Sequence, residues 1–228
     1  MLKVLIACEE SQAITIAMRK RGVECYSCDI QDQSGGHPEW HIMGDVLPLL
    51  NGNCSFKTQD GVPHMIIGSW DLIIAHPPCT YLTVSANKYY NVETYGIKAL
   101  ERLEQRKAAI DFFMAFTKTS AKHWAIENPV GIISTHWRKP DMIIQPYFFG
   151  DPYRKTTCFW VHDLPKLQPT KMVDIHLEKH GKKMYDSWHM ATWGMKPDER
   201  RRARSKTYPG IAEAIADQWI NYIKEEQS

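Results

Sequence analysis

Long hydrophobic runs are missing from this sequence. Its 228 residues are 43% hydrophobic and 24% charged, which is ordinary for a globular protein of about one domain. No apolar stretch approaches the roughly 20 residues that a helix needs to cross a bilayer. The apolar start, residues 2–7, runs directly into Cys8 and two glutamates, so it is too short for a signal peptide. The composition therefore predicts a protein with no membrane partner.

Cysteine and net charge are also scarce. The six cysteines are scattered, which favours a reducing compartment over a disulfide framework and predicts a cytoplasmic protein. Cys25 and Cys28 have the spacing of zinc ligands, but they fall in one predicted strand, where their side chains point to opposite faces. We expect no metal site, and we expect His76 to be a packed or hydrogen-bonded loop histidine rather than a ligand. The net charge of +2 does not by itself indicate a nucleic-acid partner.

A glycine-rich phosphate loop is missing as well. The chain opens with a predicted strand, helix and strand (residues 3–28), and Asp29 follows at the usual place of a ribose-binding carboxylate. Where a phosphate-binding fold has glycines, residues 8–12 instead contain two glutamates. These acids argue against a pyrophosphate and favour a cationic or zwitterionic ligand. S-adenosylmethionine fits that description better than NAD or ATP.

The most informative stretch is the apolar run 71–75, which ends in Pro77, Pro78 and Cys79. Its length and β-branched residues predict a buried parallel strand, whose carboxyl end faces the ligand crevice of an α/β sheet. A lone cysteine in such a place is more often a buried, inert side chain. A second short strand, however, ends in Glu127, and a thiolate with a carboxyl partner suits covalent chemistry on an electron-poor ring.

Between these strand ends the sequence is less regular. Asp45 follows a short strand-like segment, and it is either an adenine contact or the N-cap of a helix over 46–50. Residues 51–68 are predicted to be an irregular surface excursion, and residues 80–95 a loop that covers the substrate. A helix is predicted from about 96 to 120. Its apolar face comprises Leu100, Leu103, Ile110, Phe113 and Met114.

The C-terminal part begins with a predicted hairpin, in which Arg154 and Lys155 are either anion or base contacts or ordinary solvated turn cations. We divide the chain into a catalytic core (1–163), a basic accessory or recognition segment (164–206) and a C-terminal helix that packs on the core (207–228). The accessory segment interleaves basic and aromatic residues, which suits phosphate contact and base stacking. A solvated charged face explains the same pattern equally well.

Taken together, Pro77-Pro78-Cys79, Glu127-Asn128 and the strand–helix–strand opening resemble the catalytic core of the C5-cytosine DNA methyltransferases. The resemblance implies a Rossmann-like, S-adenosylmethionine-dependent methyltransferase fold: an α/β fold with a mostly parallel sheet and helices on both faces. It implies that Cys79 attacks C6 of cytosine and that Glu127 binds N3 and the exocyclic amine. It places Arg154 beside the target base.

The resemblance also implies sets of binding residues. The cofactor contacts would be Ala7, Cys8, Glu9, Ser11, Asp29, Ile30, Asp45, Val46 and Pro77. The substrate contacts would be Pro78, Thr80, Asn128 and Lys155. The partner would be DNA, and compact relatives of this kind are common in bacteriophages, where such an enzyme protects viral DNA from restriction in the infected bacterial cell. Because the recognition region is short, a free cytosine nucleotide (dCMP) is an alternative substrate, and a catalytically silent nucleic-acid-binding relative is a third reading.

Overall fold

The computed structural model describes residues 1–227. Its centre is a seven-stranded sheet, and two small hairpins lie outside that sheet. The strands, in chain order, are β1 Lys3–Ala7, β2 Glu24–Asp29, β3 His41–Met43, β4 Cys54–Lys57, β5 Pro63–Ile66, β6 Leu72–Ala75, β7 His123–Asn128, β8 Met142–Ile144, β9 Thr157–His162, β10 Leu177–His180 and β11 Lys183–Asp186. The α-helices are α1 Ala13–Arg19, α2 Val92–Tyr95, α3 Ile97–Phe116, α4 Ile133–His136, α5 Ser187–Ala191, α6 Pro197–Ser205 and α7 Pro209–Glu226.

The strands of the large sheet follow the order β3-β2-β1-β6-β7-β9-β8. The first five are parallel to their neighbours, whereas β9 runs antiparallel to both β7 and β8. This topology confirms the predicted class, a Rossmann-like α/β fold with a mostly parallel sheet. β6 lies in the middle, and all of its residues are buried, which explains why its sequence is an unbroken apolar run.

Helices cover both faces of the sheet. One face packs against α1 and α7, and the other packs against α3. Each face of the sheet has its own hydrophobic core, and alternate residues of β6 pack into the two cores. Leu72 and Ile74 lie on the first face, and Ile73 and Ala75 lie on the second. The predicted apolar stripe of the last helix is confirmed, because every member is buried. These residues are Ile211, Ala212, Ile215, Ala216, Trp219, Ile220 and Ile223.

The predicted apolar face of α3 is wrong at its start. Leu100 is 51% exposed and Leu103 is 38% exposed. At this end the helix lies beside α2 and the 3-10 helix Val84–Tyr90 and not against the sheet. Only the second half, which includes the buried Phe113, reaches the core. The segment 80–95, which was expected to be a loop, thus folds mostly into short helical turns.

The predicted irregular excursion at 51–68 is also wrong in part, because it contains the antiparallel hairpin β4–β5. Gln59 and Asp60 are the central residues of its turn, which is closed by a 2.8 Å hydrogen bond from the amide of Gly61 to the carbonyl of Thr58, and Gly61 has a φ of 89°. The ring of Phe56 packs edge-on against Tyr26 at a centroid distance of 5.0 Å. This packing gives the hairpin an apolar face that its turn-rich composition concealed.

The accessory segment is folded. It contains the hairpin β10–β11 and the helices α5 and α6. Asp186, which is buried, accepts hydrogen bonds from the backbone amides of Arg154 (3.0 Å) and His189 (2.9 Å), so it joins this segment to the core. Leu167 is buried in the main core, and therefore the independent elements begin only at Leu177. Among residues 1–227, no helix has the length and apolarity needed to span a membrane.

Candidate active site

The site lies where β6 and β7 end. These strands are parallel neighbours, with Ala75 paired to Ile126, so the residues that follow both strands emerge at the same edge of the sheet. The amide of the buried Asn128 donates a 2.8 Å hydrogen bond to the carbonyl of Pro77. That bond ties the end of β7 to the loop that carries Cys79, which is exposed.

Glu127 is the carboxylate of this site, and its partner is His76. The Nδ1 atom of His76 lies 3.3 Å from Oε2 of Glu127. Burial by itself would raise the pKa of Glu127, but the hydrogen bond from His76 and the positive charge of Lys155 lower the pKa below its usual value. Glu127 is therefore held as a carboxylate.

The Cys79 thiol responds to the same charges. Partial desolvation by the surrounding protein raises its pKa, and the Glu127 carboxylate raises it further, whereas Lys155 lowers it. The Asn128–Pro77 hydrogen bond holds the loop of Cys79 against the end of β7, and Lys155 lines the same cleft as Glu127. A thiol, a carboxylate and an ammonium group thus come to one edge of the sheet from the loop after β6, from β7 and from the segment before β9.

The structure brings Lys155 to this site, but it turns Arg154 elsewhere. Arg154 is exposed, and its guanidinium donates a 2.8 Å hydrogen bond to the carbonyl of Met184 in the accessory segment. The ammonium of Lys155 lies 3.3 Å from the carbonyl of Lys206, just after α6. The expectation that Arg154 contacts the base bound at Cys79 and Glu127 does not match this geometry, since successive residues of an extended segment point in opposite directions.

A narrow cleft runs from Glu127 toward the start of α7. Its lining includes His76, Glu127, Lys155, Thr157, Phe159 and Tyr208. Burial raises the pKa of Tyr208, as does the charge of Asp186, so its hydroxyl is a neutral donor at the cleft wall. Sequence reasoning did not select His76 and Tyr208; His76 stands three residues before Cys79, and that proximity was the available signal.

A second group of predicted residues meets at the ends of β1, β2 and β3. Desolvation raises the pKa of the Cys8 thiol, and Asp29 and Asp45 raise it further, which places both carboxylates close to Cys8. Asp45 is exposed and accepts a hydrogen bond from the amide of Leu47 (3.0 Å). The predicted helix over 46–50 is only the short 3-10 turn Leu47–Leu49, and its N-cap is Val46 and not Asp45. The adenine contact of Asp45 stays a prediction.

The two glutamates of the loop 8–12 behave differently. Glu9 is buried, and its carboxylate accepts hydrogen bonds from the amides of Ile14 (2.7 Å) and Thr15 (3.3 Å) and from the Thr15 hydroxyl (2.7 Å). It occupies the amino end of α1, where dinucleotide-binding folds place a phosphate. Glu10 is also buried, yet its Oε1 atom has no hydrogen-bond partner. Sequence reasoning did not select Glu10 as a binding residue.

The remaining predicted residues divide by exposure. Ile30, Pro78 and Thr80 are exposed and Ser11 is partly exposed, so their side chains are accessible to a ligand. Buried side chains occur at Ala7, Val46, Pro77 and Asn128. The roles assigned to all these residues stay predictions.

Metal-type side chains meet at the opposite end of β7. His123, Asp163 and Glu226 lie close together there. His123 Nδ1 is 2.6 Å from the carbonyl of Asp163, and Lys122 lies 3.0 Å from Glu226, so a lysine already neutralises one carboxylate. Within the described chain, Cys25 and Cys28 belong to separate cores on opposite faces of the sheet.

Comparisons with known proteins complete the description. No protein-family model matches the chain, and no curated protein matches it. Similar solved structures include a protein encoded within an E. coli prophage and provisionally described as a DNA modification methyltransferase. The two chains share 13% identity with a TM-score of 0.45 over 76% of this chain. The similar region spans 52%, or about half, of that protein's length.

Proposed function

We propose that this protein transfers a methyl group from S-adenosylmethionine to C5 of cytosine in DNA. One observation carries the proposal: the loop of Cys79 and the Glu127 end of β7 emerge from adjacent parallel strands at one edge of the sheet and are joined by the Asn128–Pro77 hydrogen bond. A nucleophile beside a fixed carboxylate suits attack on a ring that carries an amino group.

The chemistry begins with Cys79. The Cys79 thiol gives its proton to water and the thiolate bonds to C6 of cytosine, while the electron pair of the C5–C6 double bond moves through the ring to N3, which takes a proton from water. Glu127, held as a carboxylate, accepts hydrogen bonds from the exocyclic amine and from the protonated N3, and the second of these strengthens as the adduct forms. The ring carbon C5 thereby becomes nucleophilic and could take the methyl group that S-adenosylmethionine would supply, with S-adenosylhomocysteine as the leaving group and the N3 proton returned to water. Transfer of the C5 proton to water and cleavage of the Cys79–C6 bond then restore the C5–C6 double bond and the thiolate.

The residues at the ends of β1 and β2 fit the cofactor. S-adenosylmethionine supplies an electrophilic methyl group, and it carries positive charges and ribose hydroxyls. Asp29 offers a carboxylate for hydroxyls, and the unpartnered oxygen of Glu10 suits an ammonium or sulfonium group. The carboxylate of Glu9 at the start of α1 disfavours a phosphate there.

The accessory segment favours DNA over a free nucleotide. Lys155, beside Cys79 and Glu127, is hydrogen-bonded to the carbonyls of Ser205 and Lys206, so the basic helix α6 ends at the site. Exposed cations of this segment suit contact with the phosphate backbone. They include Lys179, Lys182, Lys183, Arg201, Arg202 and Lys206. The target base would be rotated out of the duplex, since a stacked base cannot reach Cys79.

Transfer of label from methyl-labelled S-adenosylmethionine tests the proposal. Duplex DNA, single-stranded DNA and dCMP are offered in parallel, with Cys79→Ser as the chemical control and Cys54→Ser as the matched control outside the site. We expect label on 5-methylcytosine in DNA from the wild-type protein and from Cys54→Ser, and none from Cys79→Ser. Label only in dCMP contradicts the DNA substrate, and no label from folded protein contradicts the activity itself.

A further inference from the structure

The position of His76 reflects the order of the strands. β6 lies between β1 and β7 in the sheet, so the first residue after β6 stands between the loops that follow its two neighbours. The backbone amide of His76 extends the ladder by donating to the carbonyl of Ala7 (2.9 Å). The side chain is only 13% exposed. Backbone and burial therefore fix the imidazole between the cofactor loop and Glu127.

The two nitrogens of this ring have different surroundings. Nδ1 lies 3.3 Å from Glu127, whereas Nε2 is buried and has no hydrogen-bond partner. Burial raises the pKa of Glu9, and the charge of His76 opposes that rise. Two carboxylates, Glu9 and Glu127, thus flank one imidazole. A buried polar atom without a partner is uncommon in a protein core and favours a functional explanation.

Building on the proposed function, we infer that His76 is a positioning residue: it keeps the Glu127 carboxylate ionised and oriented, and thereby selects a base with an amino group. An ionised carboxylate accepts a hydrogen bond from the exocyclic amine of cytosine. It repels the O4 carbonyl oxygen that uracil carries at the same place. A protonated carboxyl would instead donate to O4, so the charge of Glu127 decides between the two bases.

The titratable groups around Glu127 come from several elements. His76 and Cys79 follow β6, Lys155 precedes β9, and Cys158 lies within β9, where Glu127 also raises the pKa of its thiol. Tyr208, just before α7, lines the same cleft. Of these, His76 is the one hydrogen-bonded to Glu127, so its replacement leaves Lys155 alone to oppose the effect of burial on Glu127.

Two substitutions separate the contact from the charge. His76→Asn places an amide near the position of Nδ1 and keeps a donor for Glu127, but it carries no charge. His76→Gln reaches toward the position of Nε2 and loses the contact. His64→Asn is the matched control, because His64 is also partly buried. Its two ring nitrogens are hydrogen-bonded to Tyr26 and Thr58, away from Glu127.

The first measurement is the titration of the Glu127 carboxyl by carbon-13 NMR, without DNA or cofactor. We expect its pKa to rise by about one unit or more in His76→Gln, by less in His76→Asn, and not at all in His64→Asn. The inference is overturned if the pKa of Glu127 is the same in wild type and His76→Gln. If His76→Gln does not fold, the inference is overturned if the pKa of Glu127 is the same in wild type and His76→Asn.

The second measurement is the ratio of label transferred to cytosine and to uracil in otherwise identical single-stranded DNA. We expect His76→Gln to lower this ratio severalfold and His76→Asn to restore part of it, whereas a merely structural loss would reduce both rates equally. An unchanged ratio overturns the inference. If the wild-type protein transfers no label, the proposed function fails, and the titration alone still decides whether His76 controls Glu127.

Discussion

Asn128 and Pro77 are joined by a buried hydrogen bond, in which the amide of Asn128 donates to the carbonyl of Pro77 at 2.8 Å. This bond links the residue after Glu127 to the loop before Cys79. The two chemical groups of the site therefore belong to one rigid unit, although 48 residues of sequence separate them. The relationship between the strand ends, and not either motif alone, defines the site.

Replacing Asn128 with alanine tests this link. Because the buried carbonyl of Pro77 would lose its partner, we expect the free energy of unfolding to fall by about 1–3 kcal/mol, and label transfer to fall because Cys79 is less well placed. Denaturant unfolding and the transfer assay measure the two effects. Gln218→Ala removes hydrogen bonds to Gln168 at the surface and should change transfer little. Full activity in Asn128→Ala would refute the positioning role.

The charges around Cys79 predict a pH-dependent reactivity. Since the pKa of the thiol is raised, its alkylation by iodoacetamide should reach half its maximal rate above the pH typical of free cysteine. At pH 8, Glu127→Gln should speed alkylation severalfold because it removes a negative charge. Lys155→Met should slow it because it removes a positive one.

Mass spectrometry of the Cys79 peptide over a pH series measures this rate. Cys54, which lies on the β4–β5 hairpin, is the internal reference, and its rate should be unaffected by both substitutions. Opposite changes in the two variants are the expected signature. Changes of the same sign in both would mean that altered access to the loop, and not charge, controls the thiol.

Glu10 predicts a cofactor contact. Glu10→Gln should weaken S-adenosylmethionine binding by about tenfold, or roughly 1.4 kcal/mol, because the unpartnered carboxylate oxygen would lose its charge. The stability of the free protein should not decrease, since a buried charge without a partner is itself unfavourable. Calorimetric titration with the cofactor checks the affinity, and Glu24→Gln at the other end of β2 is the control. Unchanged affinity would remove Glu10 from the site.

The basic helix α6 predicts two distinct outcomes for neighbouring arginines. Arg202 is exposed, so Arg202→Ala should weaken duplex binding at all sequences and reduce the salt dependence by about one counterion. Arg200 donates hydrogen bonds to the carbonyls of Thr192, Trp193 and Met195, so Arg200→Ala should unfold the accessory segment. Fluorescence anisotropy over a salt series measures the first effect, and protease susceptibility of residues 177–206 measures the second. Salt-independent binding by the wild-type protein would contradict phosphate contact.

The sequence by itself determined the elements whose signals are local. Continuous apolar residues identified β6, because a strand that is buried on both faces needs consecutive apolar side chains. The seven-residue stripe of α7 identified its buried face, because a helix that is buried on one side needs apolar side chains at helical spacing. The same holds for the prolines before Cys79, which end the strand wherever it packs. Fold class, the central strand and the pairing of Cys79 with Glu127 at one edge followed from these patterns.

Only the tertiary structure decided which side chains face one another. Hairpin direction turned Lys155 toward Glu127 and Arg154 toward Met184, and adjacent basic residues carry no sequence signal for that choice. The place of β6 between β1 and β7 set His76 between Glu9 and Glu127, while the helix α1 engaged Glu9 and left an oxygen of Glu10 unpartnered. These relationships depend on contacts between segments that are distant in sequence, and these contacts exist only once the sheet has formed and its loops are packed.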